Sequence, residues 1–133
     1  MITVDYNFGK KNEEQLLERL QNSFGRDLSP TKSKVCPVDF CSDSIVIELK
    51  TRRNNLMKYP TTMISKSKID YMLESGKKAY TVFNFTDGIY YIEITKESIE
   101  KFSLGKGGRY DRGRPEVNIY YYIPIELLCK LDC

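Results

Sequence analysis

The chain contains no histidine. That absence removes Ser-His-Asp and Cys-His catalysis, His-ligated zinc hydrolases and His-based nucleases, because each needs an imidazole as base or ligand. Any chemistry must run on carboxylates, lysine, tyrosine or cysteine. No apolar run approaches the ~18 residues that a membrane span requires. The opening MITVDYNFGKKNEEQ has neither the apolar stretch nor the small-residue cleavage site of a signal peptide. The expected location is therefore intracellular, in cytoplasm or nucleus, with the four cysteines reduced. An excess of one charge sign is also nearly lacking, since the net value of +3 is too mild by itself to announce a polyanion partner.

What is there is ordinary globular material, 41% hydrophobic and 29% charged, in 133 residues. That length suits one core, so a single domain spanning 1–133 is expected. The modest charge is unevenly spread. Residues 50–78 hold Lys50, Arg52, Arg53, Lys58, Lys66, Lys68, Lys77 and Lys78 against only Asp70 and Glu74.

Leu16, Leu17, Leu20 and Phe24 recur at helical spacing, which predicts a first helix over 12–24 with Asn12 as cap and Gly25 as stop. A loop through Pro30 leads to a short strand near 35–40, a turn at "CSDS" and a return strand over 45–50. Residues 53–63 read as irregular, and 64–74 as a helix stopped at Gly76. Strands at 80–85 and 89–94 flank an Asp87-Gly88 turn signal. A short helix over 96–102, an exposed Gly- and Arg-rich loop "GKGGRYDRGRPE" and a last strand over 117–123 complete the chain. Most of the ten tyrosines belong to strands, where tyrosine is favoured.

The stretch "PVDFCSDSIVIELKTRR" carries the chemistry. Alternate side chains of a strand share a face, so Val46, Glu48 and Lys50 point one way and Ile45, Ile47 and Leu49 the other. A two-residue turn at Ser42-Asp43 would pair Asp39 with Val46 and bring Asp39, Glu48 and Lys50 together. A one-residue slip would undo this. Two carboxylates held close repel and raise one pKa unless a cation sits between them. A bound divalent metal is the economical explanation, with oxygen ligands pointing to Mg2+ or Mn2+ rather than zinc. The competing reading is a cross-strand charge network on a half-exposed sheet. Placed among apolar neighbours, such a network would cost several kcal/mol if unpaired.

Pro37, Asp39 and then Glu48-Leu49-Lys50 after a short hairpin resemble the PD-(D/E)xK nuclease superfamily, here a small resolvase-like or restriction-endonuclease-like member. Val38 separates the proline from the aspartate, a departure from the pattern. The resemblance implies an α/β restriction-endonuclease-like core, a mixed central sheet of about five strands flanked by helices. It also implies that Asp39 and Glu48, with the Leu49 carbonyl, hold the metal, that Lys50 orients the attacking water, and that an acidic residue of the first helix assists. By angle, Leu17, Leu20 and Phe24 lie within about 40° of Glu13, which selects Glu13; Glu14 suits the helix dipole instead. Lys68 borders the apolar face of the later helix and could reach over the sheet towards a phosphate, with Lys66 the weaker choice.

Arg52, Arg53, Lys66, Lys68, Arg109 and Arg112 are the expected phosphate contacts. A four-cysteine zinc site from Cys36, Cys41, Cys129 and Cys133 is less economical than idle thiols, since the spacings are wider than a two-residue knuckle. The expected protein is a Mg2+- or Mn2+-dependent endonuclease acting on DNA, structure-selective and homodimeric. The alternatives are an RNA endonuclease of the same fold and a nucleic-acid-binding module without turnover.

Overall fold

The computed structural model describes residues 15–31, 38–109 and 116–131, apart from the side chains of 107–109 and 116–118. The first helix, α1, covers 15–24, and Gly25 follows it at φ +148°. Next come β1 (Ser29–Pro30), β2 (Phe40–Cys41), β3 (Ile45–Thr51), a 3-10 turn (Leu56–Lys58), β4 (Thr61–Ser65) and α2 (Lys66–Glu74). The second half holds β5 (Lys78–Phe85), β6 (Gly88–Glu93), α3 (Lys96–Ile99), β7 (Ser103–Arg109), β8 (Glu116–Pro124) and β9 (Cys129–Lys130).

Six strands form the main sheet in the order β1-β2-β3-β5-β6-β9. Only β3 and β5 run parallel; the other pairs are antiparallel, so the sheet is mixed. The parallel pair needs a crossover, which β4 and α2 supply. A second, three-stranded antiparallel sheet has the order β4-β8-β7. The expectation of about five central strands therefore falls one short and omits the second sheet.

Each face of β3 meets a different layer. Ile47 joins Leu16 and Leu20 of α1, Leu28, Val82, Ile89 and Leu131 in one apolar cluster. Val46 joins the other, with Ile69 and Met72 of α2, Ala79, Phe83 and Phe85 of β5, and Ile64, Tyr121 and Ile123 of the second sheet. The Val46 face, which carries Glu48 and Lys50, thus looks at α2 and the second sheet.

Among the boundaries that differ from the expectation, such as α3 ending at Ile99 rather than at 102, two have clear local reasons. The helix expected from Ile64 begins at Lys66 because "TTMIS" is spent on β4, whose Thr62 and Ile64 side chains face the core. β-branched residues favour a pleated, half-buried strand. Beyond Ser75 the helix stops at Gly76, whose φ of +73° suits the left-handed position after a helix end. The Gly-rich stretch is also not all loop: Gly105 to Arg109 lie in β7, paired with β8. A Cβ at position 105 would come within 2.6 Å of Tyr122 Cε2, so glycine there answers close packing. Residues 110–115 lie outside the described residues.

Candidate active site

Cys41 pairs with Val46 and Phe40 with Ile47, so the connection is longer than the expected two-residue turn. Ser42 N–H donates to the Ile45 carbonyl at 2.9 Å, and Ser42 Oγ accepts from the Ile45 N–H at 3.2 Å. The register is shifted by two residues from the expected one. Because side chains alternate with a period of two, a shift of two leaves every residue on its face. Asp39 lies just outside these paired residues, with its N–H also turned to the Ile47 carbonyl, and its carboxylate meets that of Glu48.

Asp39 is exposed and tied down. Its N–H donates to the Ile47 carbonyl at 3.1 Å, and its Oδ2 accepts from the Leu49 N–H at 2.9 Å. In a strand the N–H and C=O of one residue address the same neighbour, so the Leu49 carbonyl also looks towards Asp39.

Glu48 is the opposite case, only 1% exposed. Burial and the adjacent Asp39 push its carboxyl up to about 8, against a smaller downward pull from Lys68. Lys68 Nζ lies 2.5 Å from Glu48 Oε2, a contact that brings the second helix over the sheet and becomes an ion pair when Glu48 ionises. That oxygen nevertheless lacks a well-directed hydrogen bond among the described residues. Thr81, level with Glu48 on β5, has a buried hydroxyl in the same condition. Lys50, half-buried, has its pKa lowered chiefly by desolvation, with Glu48 opposing and Lys68 and Arg52 adding to the effect.

Asp39, Glu48, Lys50 and Lys68 thus act on one another at one face of β3. No group of three or more His, Cys, Asp or Glu side chains able to hold a metal occurs among the described residues. What gathers is a pair of carboxylates. The donors are all oxygen, and one of them is a buried carboxylate oxygen without a directed hydrogen bond, so the pair fits a hard divalent cation completed by a carbonyl and waters.

A family model described as "Phage putative PDDEXK endonuclease" matches residues 11–131. The chain belongs to this PD-(D/E)xK endonuclease family. Its α/β fold with a mixed sheet and packed helices agrees with the restriction-endonuclease-like core of that superfamily. Membership supports nuclease activity in general and a nucleic acid substrate, and PD-(D/E)xK nucleases generally use divalent metals. No curated protein and no solved structure matches the chain. No helix among the described residues is long and apolar enough to cross a membrane.

The remaining expected residues divide. Lys66 pairs with Asp70 at 2.7 Å on the surface of α2, away from Glu48's contact with Lys68. Arg52 is half-buried, donates to the Met63 carbonyl at 2.7 Å and lies 6.0 Å from the Phe83 ring centroid, so it fastens the end of β3 to β4. Arg53 is exposed. Arg109 ends β7, so its expected loop placement is corrected. Glu13, Arg112, Cys36 and Cys133 lie outside the described residues. Cys41 and Cys129 sit on β2 and β9, four strand spacings or about 19 Å apart, whereas zinc holds two sulfurs within about 4 Å. The four-cysteine site is excluded by that separation. Thr81 was missed; its signal was a lone polar residue in the apolar row Ala79, Phe83, Phe85.

Proposed function

We propose that the protein is a Mg2+- or Mn2+-dependent endonuclease that hydrolyses phosphodiester bonds in DNA. The observation that carries this is a buried Glu48 held between Asp39 and Lys68 on the strand face that also bears Lys50. Asp39, Glu48 and the Leu49 carbonyl would hold the cation. When bound, it supplies Lewis acidity at the scissile phosphate and makes water a better nucleophile.

The protein's own groups do the rest. Lys50 shares the Glu48 face and orients the attacking water while countering charge that develops on the phosphate. Its depressed pKa eases proton exchange with that water. Lys68 is tethered to Glu48 and close enough to share phosphate binding. Water attacks phosphorus, the P–O3′ bond breaks, and the products are a 5′-phosphate and a 3′-hydroxyl. Arg53 supplies sequence-independent phosphate affinity beyond the strand end. A homodimer would present two such sites to two strands.

The DNA assignment rests on the superfamily resemblance and is tested on matched DNA and RNA oligonucleotides, single-stranded, duplex and branched. Cleavage of DNA that requires Mg2+ or Mn2+ and stops with EDTA is the expected result. Preferential cutting of RNA overturns the substrate, and binding without cutting under all these conditions overturns the enzyme.

A further inference from the structure

A cleft of about 400 Å3 opens where the chain leaves β3, in the size range of ligand sites. Its lining includes Arg52, Asn54, Tyr59, Met63, Phe85 and Tyr122, with one cation and no carboxylate in the whole wall. The rim is preformed. Arg52 N–H donates to the Asn84 carbonyl at 2.9 Å, Thr86 N–H to the Asn54 carbonyl at 3.1 Å, and Leu56 N–H to Asp87 Oδ1 at 3.0 Å. These bonds fix the segment over the β5–β6 turn, yet Met57 and Tyr59 remain 75% and 54% exposed there. Lys58 Nζ stands 5.6 Å from the Tyr59 ring centroid.

We propose that this cleft receives one unstacked nucleobase of the strand whose phosphate lies at Glu48 and Lys50. The inference rests on the nuclease reading above and adds a specificity site to it. Arg52 lies just past the end of β3, two residues after Lys50, and its guanidinium stands over Phe83, the partner of Lys50, so the two cations share a face about 7 Å apart, a span that one nucleotide bridges. Arg52 spends one N–H on Met63, and a guanidinium has five, so donors remain for a base edge. Tyr59 offers an exposed aromatic ring for stacking, and Lys58 beside it offers a cation to the flanking phosphate. A base is a flat apolar body with a polar edge, and the wall is mostly apolar and aromatic with a guanidinium and an amide. A carboxylate-free wall that carries Arg52, two residues from Lys50, with Lys58 beside Tyr59, suits a polyanion more than an apolar peptide.

The test is a methyl and amide NMR titration in EDTA, where nothing is cut, with a short single-stranded DNA and with the same strand made wholly abasic. The natural strand should shift the Met63 and Ile125 methyl signals as well as Lys50, and the abasic strand Lys50 alone. Equal shifts from both strands, or Lys50 shifts without any at Met63 and Ile125, overturn the base site and leave the nuclease reading standing. No shift anywhere overturns the base site, and if metal-dependent cutting is absent too, the nuclease reading falls with it. Tyr59→Ala should weaken the natural strand about tenfold and leave the abasic strand unchanged, while Tyr59→Phe keeps parental affinity. Equal weakening of both strands by Tyr59→Ala also overturns the assignment.

Discussion

Glu48→Gln isolates the electrostatic strain of the candidate site. In the unfolded chain this carboxyl ionises near its ordinary value of 4.5, and in the folded protein near 8. Below pH 4.5 both states hold the proton, and the burial costs nothing extra. Between 4.5 and 8 the unfolded chain has released the proton and the native one has not, so stability falls steadily as pH rises. Above 8 the loss is complete. At ~1.4 kcal/mol per pH unit the gap, in which the pull of Lys68 is already included, corresponds to roughly 5 kcal/mol. Against a total of about 5–15 kcal/mol for a domain, that is a large fraction.

The assay is urea unfolding in EDTA at pH 5, 7 and 9 for the parent and Glu48→Gln. Glutamine fills the same space without titrating, so the variant's stability should stay level where the parent loses roughly 4 kcal/mol between pH 5 and 9. Lys50 is present in both proteins, and the difference between them reports Glu48. Mn2+ at a hundred times its Kd should restore ~2.7 kcal/mol to the parent and far less to the variant. Parallel pH profiles in EDTA would refute the buried, neutral Glu48 and with it the physical reason for a cation at this place.

Asp39→Asn keeps an acceptor for the Leu49 N–H but loses the ligand charge, so cleavage should collapse while the melting temperature measured in EDTA is unchanged or higher. For Lys50→Ala, single-turnover cleavage at saturating DNA should fall on the order of 10²-fold with little change in an equilibrium binding titration. Arg52→Ala should cost about 1–3 kcal/mol in urea unfolding through the lost bond to Met63, whereas Arg53→Ala should leave stability intact and lower the salt slope of DNA binding by about 1. Removing the ammonium in Lys68→Met takes away a downward pull on Glu48, so the acidic limb of the pH–rate profile should move to higher pH as turnover falls.

The parts of the fold that were hard to see have local and distant causes. β4 pairs with a strand far along the chain, Thr61 with Pro124, whereas β7 pairs with the next strand, from Ser103–Tyr122 to Arg109–Glu116. Neither strand has a strong alternation to announce it. "TTMIS" alone is ambiguous beside a helical pattern, and glycines in "LGKGGR" read as loop because glycine weakens a strand in isolation. Only the Tyr122 ring against Gly105 explains why a side chain is unwelcome there. The tie between Arg52 and Met63 was hidden in the same way, since Met63 gains a carbonyl at that place only once β4 exists.

The candidate site was legible for the converse reason. Val46, Glu48 and Lys50 share a face through strand periodicity alone, whatever partner lies next to β3. The hairpin turn was misjudged, and Asp39 stands outside the regular pairing with its N–H on the Ile47 carbonyl, yet its carboxylate still meets Glu48. Lys68 became legible as a border position on its helix, but its choice of Glu48 over the solvent depends on burial that no single segment encodes. A polar residue on the apolar face of a strand is therefore the more durable signal here, because its placement survives errors in turn length that would mislead a reading based on pairing.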